Sequence, residues 1–373
     1  MKKIFLTANT DWYLYRFRFS LAVALRREGL EPVFVSPPGR FVPRLEEGGF
    51  RWIQWNMDRR GVSPWKEIMT VIQFNSILTR EKPDLIHNHT IKPVLYGSLT
   101  ARLVHQCLMI NAITGRGYLF INPPAGVKLL RALVVPVYRF VTNHPSFVTL
   151  FENQSDLEYF TSLKMFTRTR NVVVPGVGVD SELFSPQPEE AGTPVVAYVG
   201  RLLWDKGVDT FVRAAELLKA SKQPLRMVLI GTTDPGNPAS IPEKLIVQWA
   251  NSGVIEWWGW QENMPEIYHQ CHVVVMPSLS EGMSTTILEA MSSERAVIAT
   301  DVPGCRELVH HQETGLLVQP GNPQELAHAI HSLLADETLR RQLALAGRLL
   351  VLEKYTINRI NDLTLRLYHE ILG

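Results

Sequence analysis

Residues 273–304, VVVMPSLSEGMSTTILEAMSSERAVIATDVPG, contain two apolar runs separated by a helical pattern. The first run, residues 273–276, is short and apolar throughout, which predicts a buried strand. Ser284 and the two threonines after it are N-cap candidates for the helix that follows. The second run, residues 296–299, completes a strand–helix–strand unit. Such a unit presents the free N–H groups and the positive dipole end of its helix, which suit a phosphate.

Two glutamates flank this predicted helix N-terminus, Glu281 before the helix and Glu289 within it. A carboxylate repels a phosphate, whereas it accepts a hydrogen bond from a hydroxyl group. We therefore expect both glutamates to bind hydroxyl groups. A phosphate with hydroxyl groups on either side describes a nucleotide sugar.

The spacing of the two glutamates resembles the E-x7-E motif of the family 4 retaining glycosyltransferases, and residues 300–308 and 314–318 are also similar to that family. The resemblance implies that Glu281 lies at the donor sugar and that Glu289 binds the ribose. A solvated loop glutamate and a surface helix glutamate are the alternative, which the spacing alone would favour and the surrounding matches argue against. The resemblance also implies that the backbone between the glutamates holds the diphosphate, at Gly282, Met283, Ser284 and Thr285.

Residues 200–207, GRLLWDKG, lie between a predicted strand and a predicted helix. Arg201 offers a planar fork of donors and Lys206 a point charge, and proteins use both to hold phosphate oxygens. In the family that the chain resembles, the matching Arg and Lys clamp the donor diphosphate and stabilise it as it leaves. A pair of exposed surface cations is the competing interpretation. Because the sequence has no DxD motif in a family-like context, we expect metal-independent chemistry and no cofactor, with UDP-sugar as co-substrate.

The chain alternates apolar strands with amphipathic helices in both halves, which predicts α/β domains with doubly wound parallel sheets. The family resemblance implies the GT-B fold, in which two Rossmann-like domains face each other across a cleft. We expect an acceptor-side domain at residues 1–172 and a nucleotide-sugar-binding domain at residues 173–355. The helix at residues 356–373 is expected to pack back on the first domain.

Three segments of the first half are expected to be loops at the carboxyl ends of strands, where ligands bind: residues 9–12, 87–90 and 114–118. His89 is the candidate catalytic residue, because a neutral imidazole can accept a hydrogen bond from the acceptor hydroxyl. A histidine satisfied by local contacts is the competing interpretation, and it is the preferred one for His87. The acceptor-side candidates are Asn9, Thr10, His89 and Gly115.

The charges are unevenly distributed, with 23 Lys and Arg against 12 Asp and Glu in residues 1–170 and an acidic excess in the rest. A basic half suits nucleic acid or an anionic membrane surface. Residues 125–141 form an apolar helical pattern with Lys128, Arg131 and Arg139 on one face, which favours the membrane. A core helix with a solvated basic stripe is the competing interpretation. With no spanning segment and no signal peptide, we expect a cytoplasmic protein peripheral to the inner membrane face.

These features predict a retaining hexosyltransferase that moves a hexose or N-acetylhexosamine from a UDP-sugar to a lipid-linked saccharide in bacterial surface polysaccharide or glycan assembly. Residues 201–208 and the polar loop at 231–240 resemble transferases that add hexosamines to undecaprenyl-diphosphate-linked sugars. Two alternatives stay open, a UDP-sugar epimerase of similar architecture and a non-catalytic nucleotide-sugar-binding subunit of an assembly complex. A dehydrogenase is disfavoured because no G-x-G-x-x-G follows the first strand.

Overall fold

A computed structural model describes residues 1–59, 61, 63–103, 107–116, 120, 125–220 and 224–373, without the side chains of residues 103, 125–130 and 132–134. The chain divides into two compact units. Unit 1 comprises Met1–Val177 and Ile360–Gly373, and unit 2 comprises Gly178–Arg359.

Unit 1 is built on a parallel sheet whose described strands number seven, in the order β3-β2-β1-β4-β5-β6-β7. The chain moves outward in one direction from β1 and in the other direction from β4, so the switch point lies between these two strands. The strands are β1 (Lys3–Thr7), β2 (Glu31–Ser36), β3 (Arg51–Gln54), β4 (Leu85–His89), β5 (Leu108–Ile113), β6 (Phe147–Phe151) and β7 (Arg170–Val173).

Helices pack on both faces of this sheet. Successive residues of β1 point to opposite faces, so Ile4 and Leu6 join one hydrophobic cluster and Phe5 joins another. The helices are α1 (Asp11–Arg27), α2 (Val42–Glu47), α3 (Pro64–Glu81), α4 (Ile91–Leu103), α5 (Ala125–Thr142) and α6 (Gln154–Ser162).

Unit 2 repeats this plan with a parallel sheet in the order β10-β9-β8-β11-β12-β13. The strands are β8 (Val195–Val199), β9 (Arg226–Ile230), β10 (Glu256–Gly259), β11 (Val273–Met276), β12 (Ala296–Thr300) and β13 (Leu316–Val318). The helices are α7 (Val208–Ala220), α8 (Glu243–Asn251), α9 (Met264–His269), α10 (Thr285–Ser292), α11 (Pro303–Arg306), α12 (Pro323–Ala335) and α13 (Glu337–Leu350). The chain then returns to unit 1 through α14 (Ile357–Leu372).

The last helix, α14, packs on unit 1. Ile360, Leu365, Leu367 and Tyr368 are buried in the same cluster as Ile4 of β1. At its end, Lys2 donates hydrogen bonds to the carbonyl oxygens of the last two residues.

None of the helices in the described part of the chain is both long and apolar enough to cross a membrane.

The predicted fold class, two α/β units with doubly wound parallel sheets, is confirmed. One local prediction is wrong: residues 87–89 are not a loop but the end of β4, and all three side chains are buried. They tolerate this position because each has a partner: Asn88 accepts from Thr7 and donates to Asn111, His89 bonds to Thr7, and His87 bonds to Tyr368 of α14.

Candidate functional site

The N-terminus of α10 is fixed at the carboxyl end of the sheet of unit 2. Ser284 caps the helix, its hydroxyl accepting from the backbone N–H of Ile287 at 3.4 Å. Thr286 ties the first turn to the neighbouring strand β8 by donating to the carbonyl of Val199 at 3.3 Å. Thr285 begins the helix and is half-buried, while Met283 is buried in the core beneath it. The free N–H groups of this turn therefore lie where the sequence predicted a phosphate site.

Lys206 and Glu281 meet beside this turn. The Lys206 ammonium lies 2.7 Å from Glu281 Oε1, and the Ser278 hydroxyl donates to the same oxygen at 2.6 Å. The loops that carry them, after β8 and β11, are also joined through their backbones, because Leu279 N–H donates to the Asp205 carbonyl at 2.9 Å. Both side-chain hydrogen bonds end on Oε1, and among the described residues none ends on Oε2. Glu281 thus fixes a cation with one oxygen and presents the other.

Arg201 lies at the end of β8 and is more exposed than Lys206. Its guanidinium contacts Asp234 at 3.1 Å, and 53% of the side chain is exposed against 22% for Lys206. Asp234 also accepts from Asn237 at 3.2 Å, within the polar loop that follows β9. Because the guanidinium has more donors than this one contact uses, it can bind an anion without leaving Asp234.

Glu289 is buried, unlike an ordinary surface glutamate on a helix. Its Oε2 accepts from the Tyr268 hydroxyl at 3.0 Å, and only 8% of the residue is exposed. Tyr268 is itself fully buried and orients the carboxylate from α9. This partner could not be predicted from the sequence, where Tyr268 looks like an ordinary core residue.

Three glycines let the loops approach each other. A Cβ on Gly207 would lie 1.9 Å from the Pro277 carbonyl oxygen, and one on Gly304 would lie 2.1 Å from that of Gly282. A Cβ on Gly231 would lie 1.9 Å from the Gly200 carbonyl oxygen. No side chain fits at such distances, so the loops after β8, β9, β11 and β12 depend on these glycines for their contact.

We expect Gly207→Ala to destabilise unit 2 more than Gly259→Ala. Both glycines have left-handed φ angles, 68° and 67°, so alanine is strained equally at each. Gly259 has nothing within 4 Å of the added Cβ, whereas Gly207 meets the Pro277 carbonyl. The difference in unfolding free energy should be about 1–3 kcal/mol, the usual effect of overpacking. Urea unfolding of the two variants measures it, and equal losses would contradict the close contact.

In unit 1, His89 presents one unpaired ring nitrogen at the switch point of the sheet. Its Nδ1 lies 3.0 Å from the Thr7 carbonyl oxygen, which can only accept, so Nδ1 carries the proton. Nε2 then carries no proton and is a bare acceptor, able to accept a hydrogen bond. It is buried with no hydrogen-bond partner in the described structure. Burial, helped by His87 and Arg18, holds the pKa of His89 well below its usual range, so the ring is neutral.

His87 and Arg18 complete a buried polar cluster around His89. The His87 ring lies 4.0 Å from the His89 ring, and its Nδ1 lies 2.5 Å from the Tyr368 hydroxyl. Arg18 donates to the Tyr13 hydroxyl at 3.2 Å, and its Nε has no partner in the described structure. The Thr90 hydroxyl, on a residue with φ of 69°, is also unpartnered. With His87 Nε2, four of the seven buried side-chain atoms that lack a partner among the described residues lie in this cluster.

The other acceptor-side candidates lie near the same edge of the sheet. Thr10 is the N-cap of α1 and accepts from Tyr13 N–H at 3.2 Å, and Asn9 before it is half-buried. Gly115 follows β5 with φ of 121°. Residues 117 and 118 of the predicted third loop lie outside the described residues.

The predicted basic face of α5 is only partly visible. The side chain of Lys128 lies outside the described part of the structure. Arg131 lies over the Phe120 ring at 5.2 Å, and Arg139 donates to the Leu163 carbonyl oxygen. Both arginines therefore contact unit 1 itself.

Two family models match the chain, one to each unit. Residues 3–169 match the model described as glycosyl transferase 4-like, and residues 193–336 match glycosyl transferases group 1. The chain is 25% identical to a Campylobacter jejuni enzyme over 96% of both chains. That relative is named N,N'-diacetylbacillosaminyl-diphospho-undecaprenol alpha-1,3-N-acetylgalactosaminyltransferase. A Staphylococcus aureus capsular polysaccharide biosynthesis glycosyltransferase, CapM, is 22% identical over 89% of this chain and 88% of its own.

Solved structures share the fold. HepE from Anabaena in complex with UDP and glucose superposes with a TM-score of 0.81 at 19% identity, over 99% of this chain and 100% of that one. A sucrose-phosphate synthase from Thermosynechococcus elongatus gives the same TM-score at 20% identity, over 100% of this chain and 99% of that one. These likenesses identify the architecture as GT-B.

Proposed function

Because the chain belongs to the GT-B glycosyltransferases with a 4-like first domain and a group 1 second domain, we propose that it transfers a hexose or N-acetylhexosamine from a UDP-sugar to a lipid-linked saccharide. The transfer retains the anomeric configuration and serves bacterial surface polysaccharide or glycan assembly. The observation that carries the proposal is the contact of Lys206, Glu281 and Ser278 beside the N-terminus of α10.

The unit 2 site suits a sugar diphosphate. The N–H groups of the first turn of α10, with Lys206 and Arg201, supply positive charge for the phosphates. Glu281 Oε2 is available for a sugar hydroxyl, and Glu289 is assigned to the ribose hydroxyls. Fixed cations of this kind stabilise the charge that builds up on a leaving diphosphate, so the proposal includes no metal ion.

The proposed reaction forms one bond and breaks one. The acceptor oxygen bonds to the anomeric carbon of the donor, and the bond from that carbon to the UDP oxygen breaks. Attack from the face that UDP leaves gives retention, and the acceptor proton passes to the departing phosphate oxygen. Before the attack, the acceptor hydroxyl donates its one hydrogen bond to His89 Nε2 of unit 1, which orients the oxygen lone pair. As the new bond forms, the same hydrogen leaves His89 for the departing phosphate oxygen.

The lipid-linked acceptor is supported by the Campylobacter jejuni relative, whose name includes a diphospho-undecaprenol substrate. An acceptor of this kind is anchored in a bilayer, so the protein would act at the inner face of the cytoplasmic membrane. The excess of basic residues in residues 1–170 suits an anionic bilayer surface.

The direct test combines a donor screen with a transfer assay. Ligand binding raises apparent stability, so thermal unfolding with a panel of UDP-sugars identifies the donor by the largest shift. The selected donor is then incubated with undecaprenyl-diphosphate-linked saccharides, and product mass and anomeric configuration are measured. A donor that is isomerised without transfer indicates the epimerase, and binding without turnover indicates the non-catalytic subunit.

The two glutamates are expected to differ in their effects on UDP affinity. Glu289→Gln keeps the side-chain size but loses a charged acceptor for the ribose, so UDP should bind about 10–100-fold more weakly, as for one charge-assisted hydrogen bond. Glu281→Gln removes the carboxylate that holds Lys206, which frees the ammonium for the diphosphate. UDP affinity should then stay unchanged or increase, while sugar transfer falls.

Calorimetric titration of UDP into both variants measures this difference. Tyr268→Phe is the matched control, because it removes the hydroxyl that orients Glu289 and leaves the carboxylate in place. It should weaken UDP binding less than Glu289→Gln does. Equal losses of UDP affinity in the two glutamate variants would refute the division of roles.

A further inference from the structure

Helix α3 has two apolar faces. One face is buried against the sheet of unit 1 and includes Phe74, Ile77 and Leu78. The other is exposed and consists of Trp65 at 70% exposure, Ile68 at 51%, Met69 at 47% and Ile72 at 54%. Positions spaced by three and four residues lie side by side on a helix, so these four side chains form one continuous stripe, the outer face of α3. Clustered exposed apolar side chains mark an interaction site, unlike single ones.

Charged side chains near this stripe are either exposed beside it or paired with other residues of unit 1. Lys66 is exposed beside Trp65, and the preceding loop exposes both Asp58 and Arg59. Glu67 turns toward α4, where it lies 2.6 Å from the Lys92 ammonium and accepts from the Tyr96 hydroxyl.

The other glutamate of the helix, Glu81, is buried among three cations, Lys3, Arg51 and Arg80. Both acids of α3 are therefore neutralised within unit 1, and the outer face combines apolar side chains with a cation. That combination is complementary to an anionic bilayer.

We propose that the outer face of α3 docks unit 1 on an anionic bilayer, with the indole and aliphatic side chains inserted at the level of the headgroups. The inference deepens the proposed function, since a lipid-linked acceptor requires a bilayer. The sequence analysis placed membrane contact on α5, and that placement stays a separate prediction. Arg131 and Arg139 of α5 contact Phe120 and Leu163 within the unit, whereas the residues of the α3 stripe are 47–70% exposed.

The test measures cosedimentation of the full chain with vesicles of phosphatidylglycerol and phosphatidylcholine. The α3 variant is Trp65→Ser, Ile68→Ser and Ile72→Ser. The control is Leu345→Ser, Leu349→Ser and Leu352→Ser, which removes three exposed apolar side chains from unit 2, at 49%, 58% and 43% exposure. We expect the α3 variant to bind vesicles at least tenfold more weakly and the control to bind like the unchanged protein. Raising the salt to screen charges should weaken binding of the unchanged protein without abolishing it.

Other results would overturn the proposal. They are vesicle binding by the α3 variant at the unchanged level, an equal loss in the control, or a dimer of the unchanged protein that the α3 variant dissociates. Thermal unfolding checks that the variant is folded, and quenching of Trp65 by brominated lipid, judged against Trp65→Phe, tests insertion without a destabilising change. Titration of UDP into the α3 variant tests the unit 2 site separately from vesicle binding. Vesicle docking without sugar transfer would keep this inference and reject the proposed function.

Discussion

Replacing Lys206 with methionine is expected to lower kcat for sugar transfer by about 10²–10³-fold, the usual loss when one preorganised donor to a developing negative charge is removed. The ammonium is held 2.7 Å from Glu281 Oε1, which in turn accepts from Ser278, so its position is set before the donor binds. A fixed cation stabilises the leaving diphosphate without reorganising at the moment of reaction. Arg201→Met should have a smaller effect, because its side chain is 53% exposed.

The matched control for these variants is Arg226→Met. Arg226 begins β9, at the opposite end of the strand from the site, and forms a similar ion pair with Glu256 at 2.7 Å. Its loss should leave kcat within about twofold, since exposed ion pairs contribute little. Unfolding of the double variant Lys206→Met with Glu281→Gln, which leaves no unpaired carboxylate, shows how much of any stability loss in Lys206→Met comes from that carboxylate. If Lys206→Met kept the unchanged kcat, the assignment of the diphosphate cation would be wrong.

The sequence was sufficient for the fold class because its signals are local. Buried parallel strands read as unbroken apolar runs, as in residues 273–276, and the helices between them have their own periodicity. The end of β4 was predicted to be a loop because local signals alone were used. His87, Asn88 and His89 look like a loop, because polar residues are rare in buried strands and nothing local shows that Asn88 pairs with Thr7 and Asn111.

The candidate site could be predicted as a set of residues but not as a set of contacts. Arg201, Lys206 and Glu281 were found from loop chemistry and family resemblance, yet the Lys206–Glu281 contact requires β8 and β11 to be neighbours. Strand order is a global property, and the two residues are 75 positions apart. The burial of Arg18 could have been predicted from the sequence, because it lies on the same helix face as the buried Leu14, Leu21 and Leu25. A cation on such a face indicates a buried polar cluster.

His89→Ala is expected to lower the rate of transfer by about 10²-fold, the lower end of the range for losing a positioned side chain that bonds to the reacting proton. Its Nε2 is the bare acceptor at the switch point, and no other imidazole in the described cluster has its Nδ1 fixed on a backbone carbonyl. UDP affinity should not change, because the UDP contacts are assigned to unit 2. His87→Gln is the control, and transfer that falls equally in both variants would favour a structural role for the pair.

The pH dependence of transfer tests the same assignment. Burial, the neighbouring His87 and the Arg18 charge hold the pKa of His89 well below 6.5. The imidazole therefore stays neutral, and able to accept, as the pH falls through 6.5, and kcat/KM should not decline there. Replacing Arg18 with methionine removes a charge that disfavours protonation, so the pKa of His89 rises and the acidic limb of the profile moves to higher pH.

The folded protein also loses stability on the acidic side through these groups. Below pH 6.5 the unfolded chain takes up protons on His87 and His89 that the folded chain excludes, since burial lowers the pKa of both. Unfolding free energy should therefore fall by up to about 1.4 kcal/mol per pH unit for each histidine. Urea unfolding of the full chain at stepped pH measures the slope, which His89→Gln should reduce. An unchanged slope in His89→Gln would mean that the ring is protonated in the folded chain, where it could not accept the hydrogen bond of the attacking hydroxyl.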